Sequence, residues 1–292
     1  MLTEHQKDLS IAVFFALIAS LSFSIMSALV KYASADLPTS VILFSRFFIG
    51  LVFLFLFIGL TYSRTHFTLK TNRLWLHLMR GLIGVTSIGL FYLSVQYIPL
   101  VNALLLQNTS PLFMPLLVWL SLGVRTSLKL LASIFIGFIG VLLVIKPGYD
   151  LFHWGALFAL SSGVCSAIVR LSTRQLSKTE NKLTILVYYY LIATIVSGIV
   201  SIHHWVPLNE KQILLLIAIS LSSLGFASAF TFAVSKAPAR IVSPMTYVSL
   251  IFGGILEWYF WGRVPDTLTI LGMVVVVISA VFIIKQHQRE VR

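Results

Sequence analysis

At 292 residues the chain has the length of one or two soluble domains, but a composition 58% hydrophobic and only 10% charged is too apolar for a water-facing globule of that size. The solvent for most of its surface must be lipid. The formal charge of +12 does not point to a nucleic-acid partner, because the lysines and arginines stand singly between apolar runs, and the lone Cys165 excludes an intramolecular disulfide or a thiolate metal cluster.

The first apolar segment, 9–31, is longer than a signal-peptide core and has no small-residue cleavage site after it, so it reads as a membrane span. A helix crossing the hydrocarbon core needs about 20 mostly apolar residues. Further segments of that kind follow at 38–61, 73–97, 100–121, 127–146, 153–174, 183–202, 211–235, 240–262 and 266–285. The expected fold is therefore all-α and integral to the membrane, with ten transmembrane helices. The connections at Ile98–Pro99 and Ala237–Pro238 are tight enough to make their neighbours antiparallel hairpins.

With the N-terminus in the cytoplasm, sixteen of the 21 basic residues fall on inner segments, among them Arg80, Arg125, Arg170 and Lys236. Lys31, Lys146, Lys211 and Arg263 fall outside, and Arg46 lies within a span. This positive-inside bias predicts that both termini are cytoplasmic and that the protein is a multi-pass component of the cytoplasmic (inner) membrane.

The chain also resembles itself at a shift of about 139 residues: Pro99 answers Pro238, Lys146 answers Lys285, and Ser27, Ala28, Val30 and Lys31 answer Ser166, Ala167, Val169 and Arg170. Residues 1–148 and 149–292 are accordingly read as two repeats of five helices each. An odd helix count makes the second repeat enter the membrane from the opposite side, so the halves are inverted. That is an architecture of secondary transporters, in which similar halves rock about a central site.

Ser45-Arg46-Phe47, Leu78-Met79-Arg80-Gly81, Ala103-Leu104-Leu105 with Pro111, Pro244, Gly253-Gly254-Ile255-Leu256 and Trp261-Gly262-Arg263-Val264-Pro265-Asp266 follow one another in an order that resembles the drug/metabolite transporter superfamily, in particular its ten-helix EamA-type carriers. The resemblance covers nearly the whole chain. It implies a cavity lined by helices 1 to 4 and 6 to 9, with helices 5 and 10 at the periphery as packing or homodimer surfaces. It also implies small organic cargo such as amino acids or S-adenosylmethionine-like metabolites. The chain departs from the family's Gly-Glu-x-Pro-like turn, since Arg263 follows Gly262 and the first half reads Gly123-Val124-Arg125.

An ionisable group at membrane depth costs about 2.5 to 3.5 kcal/mol on insertion scales, so each marks a candidate site. Two stand out, Arg46 in the second helix and Glu257 in the ninth, at matching expected depth in the outer half of the membrane. They are candidates to grip opposite ends of a zwitterion; pairing with each other, or reaching upward to water, are the alternatives. Thr246 and Tyr247 on the ninth helix, Tyr92 and Gln96 on the third, and Gln107 and Asn108 in the fourth complete the candidate substrate-binding set. Ser20, Ser24, Ser27 and Lys31 line one face of the first helix, where hydroxyls serve either a wet interior or helix-to-helix hydrogen bonds.

Trp75, Trp154, Trp205, Trp258 and Trp261 fit an aromatic belt at the membrane interfaces, and His203–His204 lacks the acids or thiols of a metal site. There is no phosphate-binding loop, no nucleophile elbow and no paired carboxylates within a span, so no cofactor, metal, ATP-driven pump or membrane enzyme is expected. The sequence reads as a secondary active transporter of an amino acid-like or S-adenosylmethionine-like zwitterion working by alternating access. The alternative is a proton-coupled exporter of cationic drugs or metabolites. The partners expected are the lipid bilayer and a small-molecule substrate, with no nucleic acid.

Overall fold

Within lipid every backbone N–H and C=O must find a protein partner, which an apolar run achieves by closing its hydrogen bonds within one helix. In a computed structural model residues 4–61, 69–122, 128–145, 154–236 and 245–290 are described, and among them there is no strand. The helices are α1 Glu4–Ala33, α2 Thr39–Thr61, α3 Leu74–Tyr97, α4 Leu100–Gln107, α5 Ser110–Leu122, α6 Leu128–Ile145, α7 Trp154–Leu176, α8 Lys182–Ile202, α9 Glu210–Lys236, α10 Val248–Trp261 and α11 Thr267–Glu290. Among the described residues, six stretches are long and apolar enough to cross a membrane: Ser10–Ala33, Thr39–Leu60, Leu74–Tyr97, Trp154–Leu176, Leu183–Ile202 and Glu210–Ala233. Leu131–Val144, Val248–Trp261 and Thr267–Ser279 are shorter apolar helices.

The distribution of polarity inverts that of a water-soluble protein. Large apolar side chains face outward, Leu60 at 86% exposure and Leu128 at 84%, while Ser24, Ser27, Ser94 and Ser162 are fully enclosed. Lipid as the outer solvent explains both halves of that pattern.

The segment expected as one helix over 100–121 is two, α4 and α5, interrupted at Asn108 and Thr109. Pro111 accounts for the break: it has no N–H for the Gln107 carbonyl four residues back, and its ring crowds that oxygen. In the first turn of α5 the missing donor leaves nothing unmade. Asn108 at the break finds a local partner, its N and Nδ2 both donating to the Leu104 carbonyl, at 3.0 and 2.9 Å. The span expected at 240–262 is described from Met245 onward, and α10 begins only after a turn at Thr246 and Tyr247. Pro244 and the turn at Gly123-Val124-Arg125 lie outside the described residues. At its other end α10 stops at Gly262, whose φ of +65° is left-handed and whose N–H donates to the Trp258 carbonyl at 2.9 Å. Glycine takes that conformation without a Cβ penalty.

Helices from the two ends of the chain interleave. α1 runs along α9 and α3 along α7; α2 lies against α8; α3 also touches α8, and α2 touches α9. α1 meets α10 while α7 meets α4 and α5, and α4 meets α10. Phe47, Tyr92, Leu104, Tyr190, Ile219 and Leu250 thereby share one apolar core. α6 and α11 pack on each other, Gly140 against the carbonyl of Gly272 and Gly272 against that of Gly140, with Ser279 Oγ donating to the Ser133 carbonyl.

α7 crosses the break between α4 and α5 at Gly163, where a Cβ would lie 2.8 Å from the Leu106 carbonyl and 2.9 Å from Thr109 Oγ1. Overpacking of this kind costs about 1–3 kcal/mol. Gly163→Ala is therefore expected to lower the melting temperature of the purified protein by several degrees. Gly59→Ala, where nothing lies within 4 Å, is expected to leave it unchanged or raise it. Equal melting temperatures in the two variants would show that the close approach of α7 is not required.

Candidate functional site

Arg46 is carried inward by the helical stripe Leu43, Arg46, Phe47, Gly50 and Leu51 of α2, every member of which is buried. Its Nε donates to Ser223 Oγ of α9 at 2.9 Å and its Nη1 to Tyr92 Oη of α3 at 3.1 Å. The guanidinium carbon stands 5.2 Å from the centre of the Phe47 ring and 5.6 Å from that of Tyr92. Phe47 in turn meets Tyr189 and Tyr190 of α8 edge-on, with centroids at 5.4 and 5.8 Å. The partners of this buried cation are thus hydroxyls and ring faces, which solvate a guanidinium without neutralising it.

Glu257 is 1% exposed, on the buried stripe of α10 that includes Ser249, Leu250 and Gly253. Its Oε1 accepts from Lys31 Nζ at 2.8 Å, and its Oε2 accepts from Lys31 at 3.2 Å and from the backbone N–H of Leu100. Lys31 also donates to the Ile98 carbonyl at 3.4 Å and lies 5.0 Å from the centre of the Trp261 ring. One carboxylate therefore ties the end of α1, the first residue of α4 and the last turns of α10. It adjoins a cavity of about 310 Å³ lined also by Pro99, Val101, Asn102, Arg263 and Asp266.

The candidate residues fall into separate groups. Arg46 and Tyr92 are bonded to each other, whereas Arg46 and Glu257 each have their own partners. Tyr247 Oη donates to the Asn108 carbonyl at 3.0 Å, joining the turn before α10 to the break after α4. Gln107 is buried beside them, and its Oε1 has no hydrogen-bond partner among the described residues. Thr246 stands in the same turn, half-buried. Gln96 is exposed near the end of α3, its Nε2 donating to Thr39 Oγ1 at 2.6 Å.

The serine face of α1 serves mainly to dock that helix. Ser20 Oγ donates to the Met245 carbonyl at 2.8 Å and Ser24 Oγ to the Ser249 carbonyl at 2.9 Å, while Ser27 Oγ turns back to Phe23 in its own helix. The spacing that aligns Lys31 with these serines is the signal for its partnership with Glu257, although the charge ledger assigns Lys31 to the outer side.

Sequence reasoning also passes over Ser223, Tyr189, Tyr190 and the burial of Arg80. That arginine is 7% exposed, donates from Nε to Thr173 Oγ1 at 2.7 Å and lies 4.5 Å over the Tyr189 ring. Its Nη1 is buried without a hydrogen-bond partner among the described residues.

Comparison with known proteins agrees with this arrangement of helices. The EamA-like transporter family matches the chain twice, over residues 10–146 and 153–285. The chain is 32% identical over 271 residues to the pseudopaline exporter of Pseudomonas aeruginosa, covering 92% of this chain and 94% of that protein. It is 26% identical to the riboflavin transporter of Vibrio cholerae, over 94% of this chain and 93% of that protein. It is 23% identical to the S-adenosylmethionine uptake transporter of Rickettsia bellii, over 97% and 96% respectively. A crystal structure 16% identical in sequence superposes with a TM-score of 0.65, covering 97% of this chain and 99% of its own, and so has the same fold.

Removing one member of a buried ion pair strands the other at a cost of about 3–5 kcal/mol. Lys31→Met and Glu257→Gln are each expected to lower the melting temperature of the purified protein, and the double variant to recover much of the loss. A double-mutant cycle measures the coupling directly. Strictly additive losses would show that the two side chains do not support one another.

Proposed function

Because the chain belongs to the EamA-like transporter family, we propose that this multi-pass membrane protein is a secondary carrier that moves a small organic metabolite across the cytoplasmic membrane by alternating access. The observation that carries the reading is the pattern of helix pairing. Exchanging residues 1–148 for 149–292 turns α1 into α7, α2 into α8, α3 into α9, α4 and α5 into α10, and α6 into α11. Under that exchange the α1–α9 pair becomes α7–α3, the α3–α8 pair becomes α9–α2, and α1–α10 becomes α7 with α4 and α5. The pairs α2–α8, α4–α10 and α6–α11 map onto themselves. Two inverted five-helix repeats in a ten-span chain produce such a pattern, and the double match to one family supports it.

The cargo in this reading is an amino acid-like or S-adenosylmethionine-like metabolite. Its carboxylate meets Arg46, whose planar fork suits a bidentate contact and whose neighbours Tyr92 and Ser223 hold it in place. A cationic end of the cargo reaches Glu257 only in place of Lys31, which stands there as an ammonium of the chain's own. Relatives named for the export or uptake of small metabolites support the class of cargo.

Orientation and mechanism are tested separately. In a Cys165→Ser background, Asp36→Cys is expected to react in sealed right-side-out cells with an impermeant thiol reagent, and Thr179→Cys is expected to be protected until the membrane is opened. Labelling of Thr179→Cys in sealed cells would overturn the inverted ten-span topology. In liposomes preloaded with unlabelled S-adenosylmethionine or amino acids, labelled solute is expected to accumulate transiently without nucleotide, by counterflow. Accumulation seen only when ATP is supplied would rule out a secondary carrier.

A further inference from the structure

The interior of this protein holds more fixed positive charge than its own acids can balance. Of the nine acidic residues in the chain, Glu257 alone lies well inside an expected span, and Lys31 already neutralises it. Arg46 is enclosed by Tyr92, Ser223 and Phe47, and Arg80 by Thr173 and Tyr189. No carboxylate pairs with either guanidinium among the described residues. Arg46 commits Nε and Nη1 to hydroxyls, and Arg80 keeps a buried Nη1 with no acceptor among the described residues. A buried donor left unmade on a cation is expensive, and Nη1 of Arg80, without an acceptor among the described residues and on one wall with the uncompensated charge of Arg46, indicates that an acceptor comes from outside the chain.

The wall is continuous. Phe47 meets Tyr189 edge-on at 5.4 Å, and Arg80 lies 4.5 Å over the same Tyr189 ring. Tyr92, which receives Nη1 of Arg46, lies twelve residues beyond Arg80 on α3. That is about 18 Å between the two Cα atoms, and the contacts that link the guanidiniums through Phe47 and Tyr189, at 5.2, 5.4 and 4.5 Å, set a shorter upper limit. The two guanidiniums therefore present their free N–H groups at levels separated by a distance on the order of 10 Å.

We infer that Arg46 and Arg80 together recognise a cargo bearing two anionic groups, carboxylate or phosphate, spaced by a chain on the order of 10 Å that lies along Phe47 and Tyr189. The inference rests on the carrier reading above for the word cargo and departs from it in the cargo's charge, two anionic groups in place of a zwitterion. An anion with a group at each end supplies an acceptor to both arginines and brings the charge that the interior lacks. An arginine fork accepts carboxylate and phosphate oxygens alike, so the shared chemistry is a pair of anionic oxygen groups.

Suberate, its monomethyl ester, its dimethyl ester and octanediamine form a matched series of similar length that tests this on the purified full chain by calorimetry and thermal shift. Suberate is expected to bind most tightly, the monoester more weakly, and the diester and the diamine not measurably. Arg80→Gln is expected to erase the advantage of suberate over its monoester, and Arg46→Lys to weaken suberate by about tenfold or more despite the retained charge. Octyl phosphate against octanoate distinguishes a phosphate-preferring from a carboxylate-preferring fork, and tighter binding of either than of octanol supports an anion site. Equal binding of suberate and the diamine overturns the inference without any variant, as does wild-type affinity for suberate in folded, monodisperse Arg46→Lys and Arg80→Gln. Counterflow separates the two failures. If labelled solutes exchange but suberate neither binds nor competes, the anion site is wrong and the carrier reading survives. If suberate binds in an arginine-dependent way but no solute exchanges, the anion site survives and the carrier reading is wrong.

Discussion

Two helical segments from opposite ends of the chain, α4 and α10, meet at the centre of this fold, and side chains of the α10 segment satisfy backbone groups that the ladder of α4 leaves unmade. A lipid-solvated chain has no water to cap a broken helix, so a break is tolerated only where protein supplies the acceptors and donors. After α4 the break exposes the Asn108 carbonyl, and Tyr247, in the turn that opens α10, donates its hydroxyl to it at 3.0 Å. At the far end of α4 the first N–H, that of Leu100, is taken by the carboxylate of Glu257 from α10. One short helix is thus bonded at both ends by the same neighbouring element. The dipole of α4 adds to the second contact, since a carboxylate sits favourably at a helix start.

The remaining polar contacts follow from that arrangement. With α10 fixed against α4, α1 docks on it through Ser20, Ser24 and Lys31, and α7 approaches the break so closely at Gly163 that a side chain there would strike backbone. Small hydroxyl residues do this work because each carries its own donor to a neighbouring carbonyl without widening the space between helices. Arg46 and Arg80 are different in kind. They are held by hydroxyls and aromatic faces, contacts that position a guanidinium and leave its charge standing.

Much of this was legible in the residues. Apolar runs and their breaks give most helices of the described residues to within about five positions, the break at Asn108 and the late start of α10 excepted, because length and hydropathy are set by the lipid rather than by tertiary detail. The break at Asn108 was foreshadowed by Pro111, whose effect on the carbonyl four residues back is local. Arg46 and Glu257 stood out because ionisable groups in apolar runs are rare. Their partners did not, since whether a carboxylate meets Lys31 or Arg46 depends on how helices more than 200 residues apart are placed, and the chain's own spacing carries no record of that. Arg80 was hidden for another reason: seven residues into α3, it reads as one more inner-loop cation until Tyr189 and Thr173 are seen to enclose it.

The placement of the charges also constrains how such a molecule can move. A ligand shifts a conformational equilibrium only through different free energies of interaction with the two states, so a carrier needs contacts that its cargo changes. The contacts of Glu257 are of that kind: its carboxylate joins α1 and α4 to α10, and any movement of α10 away from α1 would separate Lys31 from it. A bare carboxylate left behind in a low-dielectric setting costs several kcal/mol, enough to hold α10 against α1 while nothing replaces the lysine. The partners of Arg46 and Arg80 are neutral, so separating them from Ser223, Thr173 or Tyr189 strands no opposite charge. In the proposed carrier, therefore, the arginines are the groups that would seat an anion, and the lysine-glutamate pair is a contact whose free energy would depend on which side is open.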